Sequence, residues 1–154
     1  MKLRMLKKIS DKKLKSIDKY LVVSGQNFIN ILCSNYILPE WFLHKYKNSI
    51  SWDLVCQYQI LTDSFIRNHI SNIKDYDSWL NLSRYQVLSL DFLEEHENDI
   101  EWEDYSFYNE MNKEIVSKFY SKFNLIYIKQ RNIIENFITE EELDALEIMQ
   151  QITK

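Results

Sequence analysis

The sequence predicts an all-α protein, a short α-solenoid of about five helical hairpins. Three observations carry that expectation. The 154 residues include one Gly, Gly25, and one Pro, Pro39, far fewer turn residues than an all-β chain needs. Apolar residues make up 45% and aromatic residues 14%, enough for a core and too much for a disordered chain. The chain also repeats itself: YQILTDSFIRNH, from Tyr58 to His69, returns 27 residues later as YQVLSLDFLEEH, from Tyr85 to His96. Self-similarity at such a period marks stacked supersecondary units.

Residues 1–19 come first. Leu3, Leu6, Ile9, Leu14 and Ile17, with Leu21 beyond them, fall near helical spacing among lysines. They predict a basic amphipathic N-terminal helix. Such a helix either caps the open end of a stack or touches nucleic acid or anionic lipid. Eight Lys/Arg and two Asp lie here; of the chain's 19 and 23, that leaves 11 basic and 21 acidic residues in 20–154. The first segment therefore carries about +6 and the remainder about −10.

Residues 20–138 are assigned to the repeats. Phe42, Phe65, Phe92 and Ile115 are successive anchors. Phe42 and Phe92 are each followed by a Trp at +10 (Trp52, Trp102) and a Tyr at +16 (Tyr58, Tyr108). Phe65 is followed by Trp79 and Tyr85 at +14 and +20, so that unit holds four extra residues within SNIKDYDSW. The fourth unit diverges, with Leu125 and Arg131 at the Trp and Tyr positions. A weaker copy precedes these, placing Tyr20, Phe28 and Tyr36 on the anchor, isoleucine and tyrosine positions. Each unit reads as two short helices. Thr62, Ser89 and Asn112 stand three residues before their anchors, where an N-cap is needed. Pro39 holds the same slot in the first clear unit and suits a helix start. Helices this short are marginal alone, so each unit must complete its core with its neighbours. Residues 139–152 predict a C-terminal helix, opened by a capping box of Thr139 and Glu142.

The template L-[ST]-x-x-F-[IL]…I-x-W…Y-Q, as in ILTDSFIRNH and VLSLDFLEEHENDIEWEDYSFYN, resembles a short helical-hairpin repeat of about 23 residues in uncharacterised proteins of bacteriophages and large DNA viruses. The likeness is good over residues 36–110 and weak at both ends. It implies viral origin and a scaffold role, and it brings no catalytic residues.

Each candidate site has a plainer reading beside it. His69 and His96 share a repeat slot with Tyr46 and Phe119, so the slot favours a large planar side chain over a metal ligand, and zinc needs three or four converging ligands. Cys33 and Cys56 lack metal-type spacing. With Tyr36 matched to Tyr58, Cys33 falls on Val55, a core position, and both thiols are expected free in a reducing compartment. Glu94, Glu95, Glu97, Asp99, Glu101, Glu103 and Asp104 put seven carboxylates in eleven residues. They form either a solvated face or a contact for a basic partner. The calcium-loop pattern fails for want of the central Gly. Trp41, off the template, and Tyr76, in the four-residue insertion, are candidate partner-binding aromatics, with the Asp75–Trp79 neighbourhood as a contact site and Trp79 itself in the core.

No secretory signal, membrane span or cofactor motif is expected. The sequence thus predicts a non-catalytic, cytoplasmic protein-binding scaffold. The resemblance makes it a viral or phage protein that binds a host or viral protein with a basic surface, and inhibits a host factor. The alternative is a virion or assembly protein that self-associates. With the bulk of the chain acidic, nucleic acid is not expected as the main ligand.

Overall fold

A computed structural model of the chain describes residues 6–125 and 139–152, without the side chains of residues 20 and 22–26. Expectations resting on Leu3, on Arg131 and on the Tyr20 side chain lie outside the described residues. The chain is mainly helical and divides into two compact units, Met1–Leu88 and Ser89–Lys154.

Unit 1 opens with a two-residue strand, β1 (Lys7–Lys8), and a long helix, α1 (Asp11–Asn35). A second short strand, β2 (Tyr36–Ile37), pairs with β1 in parallel, in the register Lys7↔Tyr36 and Lys8↔Ile37. Among the described residues the basic segment expected to be a separate helix enters α1 at Asp11 and does not end near residue 19. Ser10 caps α1 by accepting from the Lys13 N–H at 3.4 Å, and the helix runs uninterrupted through the segment expected as a first weak hairpin. No proline lies between 11 and 35, and Gly25 costs a helix only about 1 kcal/mol. Leu14, Leu21, Ile29, Leu32 and Cys33 bury one continuous stripe. Phe28, placed by the template on a core position, is exposed.

The rest of unit 1 comprises α2 (Glu40–Lys45), α3 (Trp52–Tyr58), α4 (Asp63–Asn68), a 3-10 turn at Ile70–Asn72, and α5 (Tyr76–Tyr85). α3 packs against both α1 and α5. Unit 2 repeats the pattern in α6 (Leu90–Glu95), α7 (Trp102–Tyr108), α8 (Lys113–Phe119) and a 3-10 turn at Tyr120–Lys122, and ends in α9 (Glu140–Ile152).

The caps stand where the sequence puts them. Thr62, Ser89 and Asn112 accept from the backbone N–H of Phe65, Phe92 and Ile115 at 3.1, 3.3 and 2.9 Å. Pro39 opens α2 without a side-chain bond. Thr139 and Glu142 bond reciprocally at 3.0 and 3.2 Å. Each anchor is buried together with the residue after it: Phe42 and Leu43, Phe65 and Ile66, Phe92 and Leu93, Ile115 and Val116. Trp52 and Trp102 are buried, and their indole N–H groups donate to the carbonyls of Lys47 and Glu97 at 3.0 and 2.8 Å. A buried indole needs such a partner. Trp52 stacks on Phe65 and lies 5.2 Å from His69, ring centre to ring centre. Trp102 likewise lies 4.4 Å from Phe119.

The insertion behaves differently from its expectation. Asp75 caps α5 by accepting from the Ser78 N–H at 2.8 Å, and α5 has ten residues where α3 and α7 have seven. The extra residues thus add a first helical turn. Ser78, Leu82 and Ser83 take the buried face, and Trp79, expected in the core, is half-buried.

Candidate functional site

The template ends in Tyr-Gln, and in unit 1 the glutamine does the joining. Gln59 and Gln86 sit one residue past α3 and α5, in extended backbone, and both are 3% exposed. Gln59 donates its side-chain N–H to the carbonyls of Cys33 and Tyr36 at 2.6 and 3.0 Å, and its Oε1 accepts from the Leu38 N–H at 2.8 Å. Gln86 does the same one repeat later, with the carbonyls of Cys56 and Gln59 at 2.7 Å each and the Leu61 N–H at 3.1 Å. A helix C-terminus leaves carbonyls without intrahelical partners. One amide side chain, from Gln59 past α3 for α1 and from Gln86 past α5 for α3, satisfies two carbonyls there. In unit 2 Gln150 donates to the carbonyls of Tyr120, in the 3-10 turn, and Phe123, just after it, at 3.0 and 2.7 Å.

This contact corrects one alignment. Tyr36 caps α1 as Gln59 caps α3, with N–H bonds to Leu32 and Val55. Cys33 therefore matches Cys56, and Leu32 matches Val55. Both cysteines are buried and free. Burial pushes the Cys33 thiol up to about 12 and the Cys56 thiol higher, so neither is a nucleophile at neutral pH.

His69 is buried beneath Trp52 and Phe65, and its Nε2 lies 3.1 Å from Nδ1 of His44. At that distance an N–H of one imidazole donates a hydrogen bond to the bare nitrogen of the other. Burial, then the neighbouring His44, holds His69 below the usual histidine range. His96, in the same slot, instead lies 3.4 Å from Asp99. Among the described residues no three His, Cys, Asp or Glu side chains converge as a metal site.

The aromatic candidates are both at the surface: Trp41 is 38% exposed, and Tyr76, on the first turn of α5, is 62% exposed. The acidic run divides. Glu94 pairs with Lys118 of α8, and Glu97 with Lys122 at 3.0 Å. Glu95 and Asp99 flank His96 at 3.9 and 3.4 Å. Glu101 leads into α7 at its N-cap, Asp104 is half-buried in its first turn, and Glu103 is exposed beside an open cleft of about 550 Å³. The seven carboxylates thus share a region of unit 2, but two of them are held by lysines, one on α8 and one in the 3-10 turn after it.

At the N-terminus, Asp18 of α1 accepts from Lys45 and from the Tyr46 hydroxyl at 2.7 Å each. The Lys45 and Tyr46 bonds hold its carboxyl below the usual range. The exposed basic face of α1 includes Lys12, Lys13, Lys15 and Lys19. Among the described residues no helix is long and apolar enough to cross a membrane. No family model, curated protein or solved structure matches the chain.

Proposed function

We propose that this chain is a non-catalytic protein-binding scaffold whose hairpins continue as a short α-solenoid of about five units. Its partner is a protein with a basic surface, met through acidic and aromatic side chains. The observation that supports this is how the repeat divides its residues. The recurring Trp, Phe, His and Gln positions serve packing, while Trp41, Tyr76 and Glu103, which the template does not require, stay at the surface. Taken with the resemblance to repeats of phages and large DNA viruses, the chain acts in the host cytoplasm and inhibits a host factor that handles nucleic acid. An acidic surface complements the basic face of such a factor and speeds encounter with it.

Affinity capture of the tagged chain from nuclease-treated host lysate tests the reading. One stoichiometric protein is expected, and the triple variant Glu95→Lys, Asp99→Lys, Glu103→Lys loses it. Capture undiminished in that variant would dismiss the acidic surface. A second reading, self-association in a virion or assembly, draws support from the apolar Ile148, Met149 and Ile152 exposed on α9. Sedimentation over a range of concentrations separates it, because a monomer at every concentration removes it.

A further inference from the structure

Three tripeptides, 36–38, 59–61 and 86–88, each opening in extended backbone, follow α1, α3 and α5 in unit 1. The glutamine amides align them: Gln59 bonds Tyr36 and Leu38, and Gln86 bonds Gln59 and Leu61. Side chains alternate along them as in a strand. Leu38, Gln59, Leu61, Gln86 and Leu88 are buried, whereas Ile60 and Val87 point outward and are 77% and 88% exposed.

The first tripeptide already carries an extended segment. β1 lies parallel to β2, and the Ile9 N–H donates to the Ile37 carbonyl at 3.5 Å. Ile37, the counterpart of Ile60 and Val87, is half-buried. In the seated segment Ile9 is buried and both lysines are exposed. Ile60 and Val87 carry the same outward apolar side chain, and among the described residues neither takes part in a backbone–backbone hydrogen bond.

We infer that the Ile60–Val87 edge is a docking site for an extended, lysine-bearing segment of a partner protein, laid on it as Lys7–Lys8 is laid on Tyr36–Ile37. The segment pairs its backbone with the open N–H and C=O of Ile60 or Val87 and covers their side chains with alternate apolar residues, which is strand addition. Its lysines have a carboxylate to meet in Asp63, which begins the helix after Leu61, whereas Glu40, which begins the helix after Leu38, already accepts from the Thr62 hydroxyl at 2.8 Å. The inference rests on the protein-binding reading but not on the acidic run of unit 2.

The test uses the full chain and a fluorescein-labelled decapeptide, MKLRMLKKIS, as probe, followed by anisotropy. The wild type binds the peptide, and Ile60→Lys with Val87→Lys weakens binding by roughly tenfold or more while leaving the circular dichroism and denaturation midpoint unchanged. Ile60→Pro, which removes the N–H and keeps an apolar side chain, weakens binding as well. No binding up to about 1 mM overturns the proposal. So does binding that the double variant leaves intact, since the peptide then displaces β1 from β2. A dimer of the wild type that the double variant abolishes assigns the edge to a second copy and overturns it too. Partner capture that depends on Glu95, Asp99 and Glu103 but not on Ile60 and Val87 separates failure here from failure of the acidic-surface reading.

Discussion

Replacing Gln86 with leucine tests whether the glutamines join successive units. The side chain is 3% exposed and makes three hydrogen bonds. Leucine keeps the bulk, so little cavity opens, but the Leu61 N–H and the carbonyls of Cys56 and Gln59 lose their partner. A buried polar group left unsatisfied costs about 1–3 kcal/mol. Three groups around one site do not add fully, so the expected loss is about 3–5 kcal/mol. That is a large share of the roughly 5–15 kcal/mol stability of a typical domain. Gln86→Glu separates hydrogen bonding from volume. It keeps an acceptor for Leu61 but turns a carboxylate oxygen toward two carbonyls. Its folded pKa is raised above the unfolded value near 4.3, so stability is lost as pH rises through that value and partly regained in acid. Urea denaturation gives the free energies, and hydrogen exchange locates them: protection falls for the Leu61 amide and for α3 and α5, and holds in α7 and α8. A loss under about 1 kcal/mol in Gln86→Leu, or an unchanged Leu61 amide, refutes the joining role.

Further outcomes follow from single sites. His69 is held below its ordinary value of 6.5, so the unfolded chain binds the more protons just below that pH. The stability His69 contributes is present above about pH 6.5 and lost as pH falls toward the folded pKa. The wild type is therefore less stable near pH 5 than near pH 7.5, and His69→Phe, the residue type in the slot of Phe119, flattens the difference in urea midpoints. Cys33 and Cys56 resist a thiol reagent in the folded protein and react only as fast as it opens, so modification that is fast at neutral pH would contradict their burial. Ser89→Ala removes the acceptor for the Phe92 N–H and lowers stability by about 1 kcal/mol. Lys118→Ala breaks a solvent-exposed ion pair with Glu94 and lowers it by less than about 1 kcal/mol.

Much of the local structure was legible because its rules act over three or four residues. Thr62, Ser89, Asn112 and the Thr139–Glu142 box each bond the N–H that their spacing selects. The anchors and their +1 neighbours are buried for the same reason. The boundary near residue 20 was not legible, because a lysine-rich stretch and a weak repeat both have helical periodicity and nothing between them stops a helix. Trp79 left the core because the insertion entered as helix, and Ser78, one turn from Leu82, took the buried face. The glutamines were visible in the template as Tyr-Gln, but their role was not. A Gln one residue past a helix, recurring beside an apolar residue, marks a partner for orphan carbonyls, and only the fold says whose. Of the candidate site, exposure at Trp41 and Tyr76 agreed with their being off the template. The pairing of Glu94 and Glu97 depends on Lys118 of α8 and Lys122 of the 3-10 turn after it, segments the acidic run does not contain.

The slot shared by Tyr46, His69, His96 and Phe119 explains why a repeat can vary its chemistry while keeping its shape. All four are planar rings of similar reach, and packing needs only that. Tyr46 uses its hydroxyl to reach Asp18 at 2.7 Å. His69 uses its ring nitrogen to reach His44 at 3.1 Å, and His96 lies against Asp99. Phe119, without a polar atom, only stacks on Trp102. The ring packs on its neighbours, buried at His69 and Phe119 and half-buried at Tyr46 and His96, and its polar edge differs from copy to copy. The same logic governs the position after each C-capping residue, where Ile37, Ile60, Val87 and Glu110 follow Tyr36, Gln59, Gln86 and Asn109. Packing there asks only for extended backbone. An apolar side chain at three of those four positions is therefore unexplained by the fold, and a strand already covers the first.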